Sequence, residues 1–175
     1  LHTLAAQAAH PILVVNDSDM RVTPDYLRRV VAPLADERVG LVTCPYKGGL
    51  PLTLTARLEA LHMGVSFLPG TVVAWWLGIS FGLGATMVLR RADLQRIGGF
   101  AAVAHYLADD YQIGARIGGL GLSVCLSDYL VDSVIGATTF REQWHRELHW
   151  MRCSRVSQPA GYPGLLLTFT VPLAL

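Results

Sequence analysis

Between Arg57 and Arg90 the only charged residue is Glu59, so this stretch has to be buried in a core or set against lipid. A membrane-spanning helix needs roughly 20 consecutive apolar residues. Pro69-Gly70, Gly78, Gly82 and Gly84 interrupt the run, and a strand-like Ala85-Thr-Met-Val-Leu89 follows it. The expectation is a buried or membrane-contacting part of a soluble domain, not a span. With 52% hydrophobic residues over 175 positions, the chain has enough apolar side chain for the core of one domain.

The segments on either side read more simply. His10-Pro-Ile-Leu-Val-Val-Asn16 is a short apolar run, expected as a strand buried on both faces that ends at Asp17. Thr23-Pro24-Asp25 supplies a capping hydroxyl, a proline for the first helical position and an acid for the first turn, so a helix is expected to about Pro33 or Ala35. Val39 to Cys44 is a second buried strand, and the βαβ order implies parallel strands with a right-handed crossover. Ala92 to Ile97 and Asp109 to Ile117 read as helices stopped by Gly98-Gly99 and Gly118-Gly119. Leu122 to Leu126 and Tyr129 to Ile135 read as strands. Thr139-Phe-Arg-Glu142 is a capping-box pattern opening a helix through about Val156.

A net charge of +1, with 15% charged residues and no Lys/Arg block, speaks against a nucleic-acid partner. Cys44, Cys125 and Cys153 show no CxxC spacing and read as reduced core thiols. The chain begins at Leu1 without a leader pattern and reads as an N-terminally truncated piece, with a catalytic domain over residues 1–160. Residues 161–175, ending in an uninterrupted apolar stretch from Gly164, read as the start of a C-terminal transmembrane segment.

Three groups carry chemistry. Asp17-Ser18-Asp19 places two carboxylates at a strand's carboxyl end, where open α/β sheets bind ligands and where hard oxygen ligands suit Mg²⁺ or Mn²⁺ on a diphosphate. With Asn16 before it, the same motif is also excellent turn chemistry. Asp109-Asp110 opens a helix, either as dipole-favoured acids or as a carboxylate able to take a proton from an attacking hydroxyl. Arg141 to Arg155 is a basic helix that puts Gln143, Arg146 and Trp150 on one face, suited to phosphate or to an anionic lipid surface.

Taken in order, these motifs resemble the ceramide glucosyltransferase family and its bacterial relatives associated with hopanoid glycolipid synthesis, over Pro11 to about Tyr162. That family's signature is an aspartate, a DxD, a further acidic-Asp pair and a terminal (Gln/Arg)-x-x-Arg-Trp. Phe81-Gly-Leu-Gly-Ala-Thr-Met-Val-Leu-Arg-Arg91 with Gly98-Gly99-Phe100 is similar to its segment before the base. The resemblance implies an α/β, GT-A-type (Rossmann-like) domain with a mixed, mainly parallel sheet. It implies metal-nucleotide ligands at Asp17 and Asp19, a catalytic base at Asp110, and Asp109 where relatives often carry Glu. Arg146, His149, Trp150 and Arg152 are implied at the diphosphate, with Trp150 bordering a lipid-facing entrance. His149 departs from the family's Arg, and Phe67-Leu68-Pro69 stands where animal enzymes have His-Pro, which leans towards the bacterial branch. The implied function is transfer of a hexose or N-acetylhexosamine from a UDP-sugar to a lipid hydroxyl, assisted by Mg²⁺ or Mn²⁺. The implied setting is a multi-pass membrane protein with its catalytic domain facing the cytoplasm. A processive polysaccharide synthase and a non-enzymatic membrane-associated module are the alternatives.

Overall fold

The computed structural model describes residues 1–49, 51 and 53–164. Its elements run α1 (His2–Gln7), β1 (Ile12–Val15), β2 (Met20–Arg21), α2 (Tyr26–Val31), β3 (Val39–Thr43), β4 (Tyr46–Gly48), α3 (Leu54–His62), α4 (Leu68–Trp76), β5 (Met87–Arg90), α5 (Arg91–Arg96), α6 (Asp109–Gly119), β6 (Ser123–Leu126), β7 (Val131–Ser133) and α7 (Phe140–Ser157). The main sheet has the order β1-β5-β3-β6. β5 is antiparallel to both of its neighbours and β3 is parallel to β6, so three of the four strands share one direction. The βαβ expectation therefore holds for strand direction but not for adjacency, because β5 inserts between β1 and β3.

Side-chain alternation explains why β5 fits there. Leu41 and Leu89 point into one apolar cluster with Phe100, Ile113 and Ile117, beneath α5 and α6. Val42 and Val88 point into a second cluster with Tyr26, Val30 and Leu34, beneath α2. Central strands apolar on both faces are what a sheet covered by helices on each side requires. β1 departs from the expected two-sided burial. It lies at the end of the strand order, and the α2 cluster reaches Ile12 but leaves Val14 39% exposed. A smaller sheet of order β2-β7-β4 stands beyond the carboxyl end of β1.

Helix ends follow local chemistry in most places. The capping box forms as expected, Thr139 Oγ1 accepting from Glu142 N at 3.3 Å while Glu142 Oε2 accepts from Thr139 N at 2.8 Å. Gly98 and Gly99 stop α5 with φ of 90° and 70°. α6 runs through Gly118 and Gly119 to end before Gly121, whose φ is 79°. Thr23 does not cap α2. Its hydroxyl bonds to the Asp25 carboxylate and its backbone N–H donates to the Tyr129 hydroxyl at 2.8 Å, so the helix starts at Tyr26.

The apolar run with its single acid forms one continuous helical stretch over residues 54–76, in which α3 and α4 are joined by a π turn, Met63–Phe67. Pro69 has no N–H to give to the carbonyl four residues back, and the ladder passes this point with i→i+5 spacing. One side is anchored. Thr71 is buried, and the Trp75 indole N–H donates to Val124 O at 3.0 Å. The other side is bare, with Val72, Val73, Trp76 and Leu77 exposed. No described helix is long and apolar enough to cross a membrane. Residues 165–175, most of the expected start of a transmembrane segment, lie outside the described residues.

Candidate active site

The Asp17-Ser-Asp19 turn is held by side chains whose role is invisible locally. Asn16 Oδ1 accepts from Tyr26 OH at 3.0 Å and from Thr86 Oγ1 at 2.6 Å, which ties the end of β1 to α2 and to the start of β5. Asp17 O accepts from Met20 N at 3.3 Å, closing the turn, and Asp19 O accepts from Val134 N at 2.7 Å, fixing it to the end of β7. The turn and the ligand readings of this motif are thus both satisfied: the backbone is a turn, and both carboxylates are left free of protein hydrogen bonds among the described residues.

Asp110 reaches the same place from the other direction. Its Oδ2 accepts from Gly84 N at 2.9 Å and its Oδ1 from Tyr111 N at 2.7 Å. Gly84 separates the two acids: a Cβ there would stand 3.0 Å from Asp17 Oδ2 and 3.6 Å from Asp110 Oδ2. The loop gets this close because α6 and the 81–84 segment pack backbone on backbone. A Cβ on Gly114 would fall 2.1 Å from the Phe81 carbonyl carbon, and one on Gly82 would fall 2.5 Å from Asp110 O. Burial raises the Asp110 carboxyl above its ordinary pKa. The two backbone N–H bonds oppose that shift, and Asp109 and Asp17 add to it. Asp17 is raised likewise, by partial burial first and then by the charges of Asp19 and Asp109. Like charges crowded in this way form an anionic pole that a cation would relieve.

Two compartments meet at this pole. A polar cavity of about 380 Å³ is lined by Asp17, Asp19, Tyr46, Glu59, Arg146 and Trp150, with the 133–138 segment along one side. An apolar groove of about 290 Å³ runs from Asp110 and Tyr111 past Phe67, Leu83 and Phe81 to Thr71 and Ala74 of α4. A third recess brings together Asp17, Gly84, Asp109, Asp110, His149 and Cys153.

The structure therefore gathers Asp17, Asp19, Asp109, Asp110, Arg146, His149 and Trp150. Arg152 is not among them; it is exposed on α7 and lines none of these cavities. Trp150 turns inward, packed on Ala56, Met63 and Ile135, and the exposed tryptophan of α7 is Trp144. Gln143 faces a neighbouring groove with His62 and Glu147 instead of the cavity. Arg146 is not a free cation. Its Nε and Nη2 bond Glu59 Oε1 at 3.0 Å and Oε2 at 2.5 Å, and Nη2 also reaches Thr138 Oγ1 at 2.9 Å. Cys153 is no core thiol: it lines the recess and lies 3.5 Å from His149 Nε2, with burial and then the Asp110 charge pushing its pKa up.

Tyr46, Glu59 and Gly84 belong to the site without having been singled out for it. Glu59 carried a signal, as the lone charge of an apolar run that has to be paired if buried. Gly84 stood only within the segment that resembles the family's stretch before the base, and Tyr46 carried no signal, since the place of each depends on contacts between distant segments.

Among the described residues, no group of three or more His, Cys, Asp or Glu is arranged to hold a metal ion. Two carboxylates beside an open polar cavity instead match cations that keep one or two protein oxygens and take the rest from a substrate's phosphates. Asp17 and Asp19 fit that donor set.

The family model for Glycosyl transferase family 21 matches residues 1–175. Ceramide glucosyltransferase 1 of Caenorhabditis elegans is 22% identical over 157 residues, covering 87% of this chain and 33% of that protein. A mannosyltransferase from Pyrobaculum calidifontis, solved in complex with GDP-Man and Mn²⁺, superposes with a TM-score of 0.56 at 16% identity, over 99% of this chain and 53% of that one. The chain thus spans 33% of the curated relative and 53% of the solved one, and its likeness to the latter is a likeness of fold.

Proposed function

This chain belongs to glycosyl transferase family 21, and from that premise we propose that the whole protein is an inverting glycosyltransferase moving a hexose or N-acetylhexosamine from a UDP-sugar to a lipid hydroxyl. The observation that carries the reading is the meeting of Asp17 and Asp110 across Gly84, one at a polar cavity and the other at an apolar groove. The polar side suits a sugar diphosphate, and the apolar side suits a lipid acceptor. UDP as the nucleotide, and hopanoid-like or ceramide-like lipid as the acceptor, follow the family resemblance.

Asp17 and Asp19 would hold Mg²⁺ or Mn²⁺, which when bound supplies charge neutralisation on the diphosphate. Asp110 takes the proton of the acceptor hydroxyl as that oxygen bonds to the anomeric carbon, and the bond from that carbon to the diphosphate oxygen breaks with its electron pair leaving on UDP. A single displacement inverts the anomeric centre. Both Asp110 oxygens already accept one backbone N–H, and each keeps a lone pair for the incoming proton. Arg146 lines the cavity where the leaving group would gather charge, and His149 stands at the recess beside Asp109. The exposed Val72, Val73, Trp76 and Leu77 support contact with a bilayer surface, and the cytoplasmic orientation follows the family resemblance.

The test is incubation of membranes holding the full-length protein with labelled UDP-sugars and GDP-mannose, followed by lipid extraction. Label in an inverted glycolipid is expected; label in a water-soluble polymer, or none from any donor, overturns the reading. In calorimetric titration with UDP, the heat of binding is expected to require Mn²⁺ and to vanish in Asp17→Asn and Asp19→Asn. Unchanged Mn²⁺-dependent binding in both variants removes the metal assignment.

A further inference from the structure

Among the described residues, Tyr46 alone lines both the polar cavity and the apolar groove. Its backbone is fixed by the β4–β7 ladder, in register with Val131. Its ring is held against Phe67 with centroids 4.5 Å apart and planes 41° apart. Ring and backbone are thus committed, but the hydroxyl takes no hydrogen bond from any described residue. Tyr46 is half-buried and its hydroxyl is not enclosed, so it stands as an accessible donor at the wall of the two compartments, committed to no protein acceptor. It lies within the field of Asp17, Asp19 and Asp110. A phenol is a hydrogen-bond donor across the neutral range.

We propose that Tyr46 is a substrate-contacting residue: its ring forms the wall between the two compartments, and its O–H donates to a hydroxyl of the transferred sugar. The inference rests on the reading that a nucleotide-sugar occupies the polar cavity. Trp150, which lines the same cavity and packs with Tyr46 on the Ala56, Met63 and Ile135 cluster, gives the sugar a second apolar surface. A hexose against these two side chains has apolar C–H faces to lay on rings and hydroxyls to offer the phenol. The contact turns the anomeric carbon towards the groove, where the acceptor oxygen meets Asp110.

The test compares full-length protein with its Tyr46→Phe variant, which keeps the ring and its packing on Phe67. Donors are UDP-glucose, UDP-galactose and UDP-N-acetylglucosamine, with UDP alone as the sugarless probe. Tyr46→Phe is expected to lower kcat/KM for the accepted donor about tenfold, the size of one lost transition-state hydrogen bond. The affinity for UDP with Mn²⁺, the acceptor KM and the Tm are expected to stay unchanged. One deoxy form of the accepted donor should cost the wild type as much as the substitution does, and cost the variant nothing further. Equal loss for UDP and UDP-sugar would assign Tyr46 a structural role and overturn the proposal, as would unchanged kcat/KM. Wild-type protein that transfers from none of the three donors overturns the parent reading instead, and the Tyr46 contact falls with it.

Discussion

Asp110→Asn in the full-length protein is expected to lower the rate of sugar transfer by about a hundredfold to ten-thousandfold, the range general-base catalysis contributes. The carboxylate sits at the mouth of the apolar groove with both oxygens oriented by backbone N–H groups from Gly84 and Tyr111. An amide in its place cannot accept the proton, and its NH₂ must face one of those two N–H donors. The variant therefore also loses stability, by about 1–3 kcal/mol for the donor left unpaired. Donor binding separates the two effects: the proposed function assigns UDP and Mn²⁺ to the Asp17 side, so both are expected to bind the variant normally. The pH profile gives an independent check. A base works only when deprotonated, and the folded pKa of Asp110 is raised by burial and by its acidic neighbours. Wild-type activity should therefore fall away on acidification at a higher pH than an ordinary aspartate would set. Near-normal turnover by Asp110→Asn with intact donor binding would remove the base from this position.

The second large effect concerns folding. Arg146→Met leaves Glu59 with its side chain 4% exposed and no cation. Removing one partner of a buried pair costs about 3–5 kcal/mol, and since Arg146 is itself 40% exposed the lower end, about 3 kcal/mol, applies. Thermal melts of the full-length protein should show this as a clear fall in Tm. The double variant Glu59→Leu/Arg146→Met, which takes the charge away with its partner, should recover most of the loss. If the single and double variants melt alike, the pair does not hold α3 to α7. Any loss of transfer activity in the double variant, at recovered stability, then measures what the Glu59–Arg146 pair does in the cavity.

Most elements were legible because their cues are local. The Thr139–Glu142 box, the Gly98-Gly99 stop and the short continuous apolar runs of β3 and β5 each need only a few neighbouring residues. The order of the strands was not legible, because Met87 to Arg90 carries no mark saying that it enters between β1 and β3. Thr23 looked like a cap by composition, and tertiary pairing with Tyr129 overrode it. At the site, the DxD turn and Asp109-Asp110 were readable from spacing and from family resemblance. Their meeting through Gly84 depends on the close approach of Gly82 and Gly114, which is a property of packing. Arg152 was read through the family resemblance, as a neighbour of the departing His149 at the diphosphate, and two residues beyond Trp150 the helix has turned it away from the cavity that Trp150 lines.

The π turn at Met63–Phe67 has a consequence for chain length. Between Glu59, which grips Arg146, and Trp75, which grips Val124 of β6, the helix carries one residue more than a regular helix joining those anchors in the same phase would use. That surplus makes the segment one-sided in its tolerance. Losing Pro69, the residue whose missing N–H the π turn accommodates, leaves an ordinary helix with both anchors still facing inward. Gaining one has no such outlet, and a single residue is about 100° of helical rotation, enough to turn the Thr71 side out and bury the Trp76 side. Homologous chains should accordingly vary in this segment by deletion far more readily than by insertion.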